Sequence, residues 1–417
     1  MGKVTFYKDI SELLTLQGVL CKQGRHPKEE DLGEIKKAAL LVKKGKVFWI
    51  GSMTQTRSKK FSDLLKNENV KEVSLKDHTV LPGFIECHTH TLFSGDRTAE
   101  FELRNQGISY QEIAEKGGGI LSTMRSTRKE SSSRLLETGQ NRVNRFIQQG
   151  VTTLEIKSGY ALNKTGEIKM LKVARDLKGL DVVSTFLGAH SIPPEFQTSD
   201  EYLRFLATEV LPYVAKEKLA ERVDIFIEKG YFSVDQARKF IMHAYHLGLR
   251  STIHADQLTN NHGGVLGSEL GSDSVDHLVQ LNSKEIKELA RANISCVLLP
   301  AADLYLKMAY PKARDLIEEG ARIALATDFN PGSSPTQSLS LVGVLARLEM
   351  RMTLPEVISA YTVGAAYALH RHYQCGALYS GSRADFSVLD ESWRNLFYEV
   401  GRHPVKKVFF KGRSAKL

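Results

Sequence analysis

The chain opens on short apolar runs broken by turn residues, such as AALLVKKGKVFWIGS at 38–52, with glycine at the turns and little helical periodicity. These runs predict strands. Strand-like segments return at the far end, in ADFSVLD (384–390) and VKKVFFKGR (405–413), so residues 1–80 and 375–417 are expected to build one small, β-sandwich-like domain together. Between them the pattern changes to an apolar run of strand length followed by a helix-length amphipathic stretch, repeated along the chain. Strand candidates end near His90, Lys157, His190, Glu228, Asp256, Leu278, Pro300 and Asp328, with segments such as SRLLETGQNRVNRFIQQG and VDQARKFIMHAYHLG between them. Eight such units predict an α/β architecture, a (β/α)8 TIM barrel over residues 81–374, with its site where the strands end.

Most of the unusual polar residues fall at those ends: His88, His90, Tyr160, His190, Glu228, His254, His277 and Asp328. A barrel would gather them into one mouth. The longest insertion, roughly 91–133, follows the first strand and is expected to cover that mouth. Its Gly117–Gly119 run has the look of a phosphate loop but lacks the lysine and the strand-turn-helix setting.

Composition narrows the function classes. The net charge of +9 is spread among nearly as many acids, with no dense basic block, and reads as solvated surface instead of a nucleic-acid footprint. Four cysteines lie far apart with no CxxC pair, which suits a reducing compartment, and the N-terminal MGKVTFYKDI does not resemble a signal peptide. A cytoplasmic protein is expected, with no membrane partner.

The candidate chemistry centres on GFIECHTH at 83–90. Alternate side chains of a strand face the same way, so His88 and His90 are expected to point into the barrel, and Cys87 and Thr89 outward. An HxH pair alone is also compatible with two hydrogen-bonded core histidines. His254, in STIHADQL, and Asp328, in IALATDFNPG, bring two more ligand types to the same rim. Three imidazoles and a carboxylate suit zinc or ferrous iron, with a position left for water. His277 is open to three readings: a fifth ligand, a partner that orients the water, or a core histidine, the second being favoured. Glu86 shares the inward face one layer deeper, where it either supports the ligands or pairs with a cation. The remaining histidines, including His243 and His246, are assigned to surface or packing.

LPGFIECHTH at the first strand, HAD at the fifth, DH at the sixth and TD at the eighth, framed by a split β domain, resemble the amidohydrolase superfamily of metal-dependent barrel hydrolases over nearly the whole chain. Within it, GISYQEIAEKGGGILSTMRSTR, TTLEIKSGYAL, TFLGAHSIPPE, HADQLTN and ATDFNPGSSPT look like the branch that opens the imidazolone ring in histidine degradation. The resemblance implies one zinc or iron ion per subunit on His88, His90, His254 and Asp328. It implies substrate contacts from Arg97, Tyr160, His190, Gln257, Asn330, Gly332 and Ser333, and catalytic roles for Asp328, His277 and His190. The implied substrate is the small molecule 4-imidazolone-5-propanoate, hydrolysed by a metal-activated water to N-formimidoyl-L-glutamate. An alternative within the superfamily is another mononuclear hydrolase, such as a heterocycle deaminase. A homodimer is allowed.

Three positions qualify the match. Position 257 is Gln where some relatives carry Glu, and an amide cannot act as an acid or base at working pH, which leaves proton transfer to Asp328. Glu86 stands where relatives usually carry Asp. Binuclear members use a carboxylated lysine at the end of the fourth strand; here that end reads DIFIEKG, and alternation turns Glu228 inward and Lys229 away, so one metal is expected. Without the resemblance, Arg97 would read as a surface salt bridge to Asp96 or Glu100.

Overall fold

The structure is a computed structural model that describes residues 3–108, 112 and 118–415. Eight parallel strands form its centre: β6 (Phe84–Glu86), β7 (Val151–Lys157), β8 (Asp181–Ala189), β9 (Arg222–Ile227), β10 (Arg250–Ala255), β11 (Ser274–His277), β12 (Ser295–Leu298) and β13 (Arg322–Leu325). Each pairs with its sequence neighbour. The ring closes just beyond the first and last strands, where Thr89 bridges Phe329 and the His90 amide donates to the Phe329 carbonyl at 2.9 Å. Strands such as VTTLEIK are buried along their whole length because side chains on one face fill the barrel and those on the other meet the helices. The helices between strands supply that second layer, among them Ser132–Gln148, Lys164–Asp176, Val234–His246 and Ser283–Arg291.

The chain ends form a second, mixed sheet. Its strands are β1 (Lys3–Leu14), β2 (Glu34–Lys43), β3 (Lys46–Ser52), β4 (Asn69–Ser74), β5 (Thr79–Pro82), β14 (Phe386–Leu389), β15 (Val405–Phe410) and β16 (Arg413–Ser414). The order is β16-β15-β14-β5-β1-β2-β3, with β4 added to β1. β5 lies antiparallel to β14, with Val80 opposite Val388, so the ends of the chain are joined by backbone hydrogen bonds. β1 runs alongside both β4 and β5 and carries a register shift between Tyr7 and Ile10, which bends it and gives the sheet two apolar faces. One face packs Tyr7, Phe386 and Phe409, and the other Phe6, Trp49 and Phe61.

Gly83 carries the chain from the outer sheet into the barrel, and a side chain there would collide with Thr152. The insertion after β6 contains the helices Thr98–Asn105 and Ile120–Lys129, which bring Arg97 and Ile120 to the barrel mouth. Gly118 and Gly119 are described and Gly117 is not; Gly119 takes a left-handed φ of 66° and donates its N–H to Glu100. No helix among the described residues is long and apolar enough to cross a membrane. The four cysteines are free thiols, three of them buried.

Candidate active site

Alternation works on β6 as expected. His88 and His90 face the barrel interior, and Cys87 is buried on the other side among Ala365, Ala366, Leu369 and Cys375. Thr89 also turns outward, donating its hydroxyl to the Glu155 carbonyl. Glu86 occupies the layer beneath. Its carboxyl accepts from the Thr327 amide at 3.1 and 3.2 Å and from the His88 amide at 3.3 Å, so it ties β6 to the segment carrying Asp328. Among the described residues no cation pairs with it, and burial pushes its carboxyl up to about 8.

Two overlapping sets of ligand atoms meet at His88. His88, His90 and Asp328 form one, and His88, His254 and His277 the other, each with its atoms within 4.8 Å of one another. Asp328 Oδ1 stands 3.4 Å from His90 Nε2 and 3.5 Å from His88 Nε2. His88 directs Nδ1 at Asp276 Oδ2, 2.6 Å away, and its buried Nε2 makes no hydrogen bond. His254 has Nδ1 2.8 Å from Asp224 Oδ2, an ion-pair distance without hydrogen-bond alignment. Carboxylates behind Nδ1 leave Nε2 as the atom turned to the centre, the usual arrangement of a metal-binding histidine. The donor set and the orphaned Nε2 of His88 therefore fit a divalent ion.

The charges agree with that fit. Burial and Lys157 oppose a charge on His88, yet Asp276 and Asp328 hold it up to about 9. Burial also works against ionised Asp328, but His88 and His90 hold it well below the usual carboxylate range. His90 is pushed down to about 4 by burial, and His190 and His277 well below the ordinary imidazole value for the same reason. The centre is thus an ionised Asp328 beside neutral His90, His190 and His277 and a protonated His88, whose proton a bound cation would replace.

Above it opens a cavity of about 340 Å³. Arg97, Tyr160, His190, Gln257, Asn330 and Ser333 line it with His90, His254, His277 and Asp328. His190 stacks on His90 with ring centroids 5.0 Å apart, and its Nδ1 donates to the Gly159 carbonyl at 3.1 Å, turning Nε2 away from the backbone. Arg97 is buried and donates from Nε to Thr123 Oγ1 at 3.0 Å. The surface pairing with Asp96 or Glu100 does not form, because Asp96 accepts from the Thr98 amide and Glu100 from the Gly119 amide. Gly332 lies behind the cavity wall, and a Cβ there would run into Arg97 Nη1. Asn330 closes the turn, its Oδ1 accepting from the amides of Gly332 and Ser333 at 2.8 Å each. Glu228 ends β9 in a supporting position, accepting from the amides of Leu258 and Thr259 next to Gln257.

Several residues here were not singled out from sequence. Phe226, Tyr231, Leu258, Leu306, Met308 and Ile120 form the apolar wall, and nothing in their local pattern separates them from core residues. Asp224 and Asp276 did leave a signal, as acidic residues at inward positions of the apolar runs VDIFI and SVDH. His277 stands with its ligand atom within 4.8 Å of those of His88 and His254. Lys157, expected near the mouth, is instead fully buried below the histidines.

The profile of the amidohydrolase family matches residues 79–415. The imidazolonepropionase of Bdellovibrio bacteriovorus is 54% identical over 406 residues, covering 97% of this chain and 95% of that protein. That of Clostridium tetani is 38% identical, covering 97% and 96%. Among solved structures, a zinc-bound adenosine deaminase from Xanthomonas campestris superposes with a TM-score of 0.71 at 16% identity, covering 99% of this chain and 92% of that one. The ochratoxinase of A. niger gives 0.69 at 17% identity, covering 99% and 95%. At such identities these two likenesses concern the fold alone.

Proposed function

The chain belongs to the amidohydrolase family, in its imidazolonepropionase branch, and on that premise we propose that it hydrolyses the ring carbon–nitrogen bond of 4-imidazolone-5-propanoate to N-formimidoyl-L-glutamate. The observation that carries this reading is the single cavity in which Arg97, Tyr160 and His190 face the histidine and aspartate cluster. A propanoate arm needs a cation and a hydroxyl donor, and a ring carbonyl needs to sit against the cluster. The cavity offers both ends.

One zinc or iron ion held by His88, His90, His254 and Asp328 would supply the Lewis acidity that makes water nucleophilic near neutral pH. The remaining work falls to the side chains. Arg97 and Tyr160 bind the carboxylate, with the guanidinium as the charge-assisted partner. Ser333 and Gln257 hydrogen-bond the ring, and Asn330 and Gly332 shape the turn that presents Ser333. His277 orients the attacking water and Asp328, ionised at working pH, accepts its proton. As the water oxygen bonds to the ring carbonyl carbon, His190 stabilises the charge that develops on the carbonyl oxygen. The ring C–N bond then breaks and Asp328 returns its proton to the departing nitrogen.

The test uses zinc-loaded protein with 4-imidazolone-5-propanoate, following loss of ring absorbance together with formation of N-formimidoyl-L-glutamate. Turnover above the spontaneous background is expected, and it is lost in Asp328→Asn. Ammonia release from an aminated heterocycle without ring opening would instead identify a deaminase.

A further inference from the structure

Beneath the histidines lies a group of charges that the reaction does not use. Glu155 and Lys157 come from β7, Asp224 from β9 and Asp276 from β11, and all four are buried. These are the second, fourth and sixth strands of the barrel, alternate strands whose inward side chains share a layer, with Glu155 two residues below Lys157 on the same strand. Lys157 Nζ is the hub, 3.0 Å from Glu155 Oε1, 2.9 Å from Asp224 Oδ2 and 3.7 Å from Asp276 Oδ2.

The oxygens involved are the ones that face the imidazoles. Asp224 Oδ2 lies 2.9 Å from the ammonium and 2.8 Å from His254 Nδ1. Asp276 Oδ2 lies 3.7 Å from the ammonium and 2.6 Å from His88 Nδ1. The other oxygens are held by the scaffold: Asp224 Oδ1 accepts from the Ile225 amide at 2.7 Å, and Asp276 Oδ1 from Ser274 Oγ at 2.7 Å. Asp224 is therefore fixed at one oxygen by its surroundings and shared at the other between the ammonium and His254, and Asp276 is arranged the same way with His88, Thr252 Oγ1 also standing 3.2 Å from its Oδ2. Burial disfavours the ammonium, but Asp224, Glu155 and Asp276 together more than offset it, so Lys157 stays charged.

We infer that Lys157 is a positioning residue for the metal centre: by drawing Asp224 and Asp276 toward one ammonium, it sets the direction in which His254 and His88 present their remaining ring nitrogens. The inference rests on the reading of those two histidines as ligands. Without the ammonium, three carboxylates would stand together in the barrel core, and their mutual repulsion would swing the two behind the histidines apart. Lys157 touches neither metal nor substrate in this arrangement; it acts through the two carboxylates.

The test compares wild type with Lys157→Met, measuring zinc affinity by competition with a chelator and the visible absorption of the cobalt-substituted protein, which reports ligand geometry. Zinc affinity is expected to fall about 10- to 100-fold, as for other residues that orient metal ligands, with a changed cobalt spectrum. Combining Lys157→Met with Asp224→Asn should cost less than the two separate losses together, because both act on His254. A lower melting temperature with zinc affinity and cobalt spectrum unchanged would overturn the inference and leave Lys157 a purely structural residue. Should Lys157→Met fail to fold, Lys157→Met with Glu155→Gln removes one charge of each sign, and it must show the same loss of affinity; wild-type affinity there overturns the inference as well. Neither measurement involves substrate, so a failed ring-opening assay leaves this test standing. Wild-type protein that binds no zinc would overturn the ligand assignment itself, and with it this role.

Discussion

At the scale of single residues, the backbone turns sharply at the mouth. Asp256, His277 and Asp328, at or just beyond the ends of their strands, have left-handed φ values of 52°, 80° and 51°, as do residues in turns elsewhere in the chain. The consequence is clearest at Asp276-His277. Strict alternation would put these neighbours on opposite faces, yet Asp276 backs His88 from inside and the turned backbone brings His277 to the mouth. Asp303 raises a different question. Its carboxyl is buried, neither oxygen has a hydrogen-bond partner among the described residues, and burial, with Asp328 adding to it, pushes it up to about 8. A carboxyl raised in the folded state contributes its full stability below its unfolded value and loses it as pH rises through the folded one. Asp303→Asn is therefore expected to narrow the difference in unfolding free energy between about pH 5 and pH 8.5, by a few kcal/mol at most given about 1.4 kcal/mol per pKa unit, as read from denaturant melts at the two pH values. An unchanged difference would contradict the assignment.

At the scale of elements, the loops after the strands divide the labour. The turn after β13 is stiffened by Asn330 and places Gly332 against Arg97, which arrives from the loop after β6. Replacing Arg97 by Met should raise KM for the propanoate substrate at least about tenfold, with a smaller change in kcat, because it removes a charge-assisted bond made in ground and transition states alike. Gly332→Ala should do the same while leaving the melting temperature nearly unchanged. The group it displaces is the far end of a flexible side chain, not backbone. If Gly332→Ala raised KM no more than a substitution outside the cavity, Arg97 would not be the carboxylate anchor. The strand ends were legible in sequence because parallel barrel strands are buried on both faces, so a polar residue where an apolar run stops stands out. The covering helices were expected only as a loop or helical cover, since short helices packed on a cavity rim carry no strict period.

At the scale of the whole molecule, a metal held by residues from strands β6, β10 and β13 would tie distant parts of the ring together. Removing it with a chelator should abolish turnover and lower the melting temperature, with both restored by zinc, since a ligand that binds only the folded state stabilises it by mass action. Metal analysis is expected to give one equivalent per chain. Two would contradict the reading of Lys157, which is occupied by three carboxylates and is not a bridging group.

Much of this protein was determined by local sequence. The alternation of apolar runs and amphipathic stretches specified a barrel, and the residues ending those runs specified its mouth, because strand and helix periods are properties of short segments. Alternation alone assigned His88 and His90 inward and Cys87 outward. Tertiary structure decided the rest. Only the closed ring brings Lys157, Asp224 and Asp276 together from strands far apart in sequence, and only the packed cover buries Arg97 against Gly332. Those relations depend on which side chains share a layer across the barrel, a distance that no local period encodes.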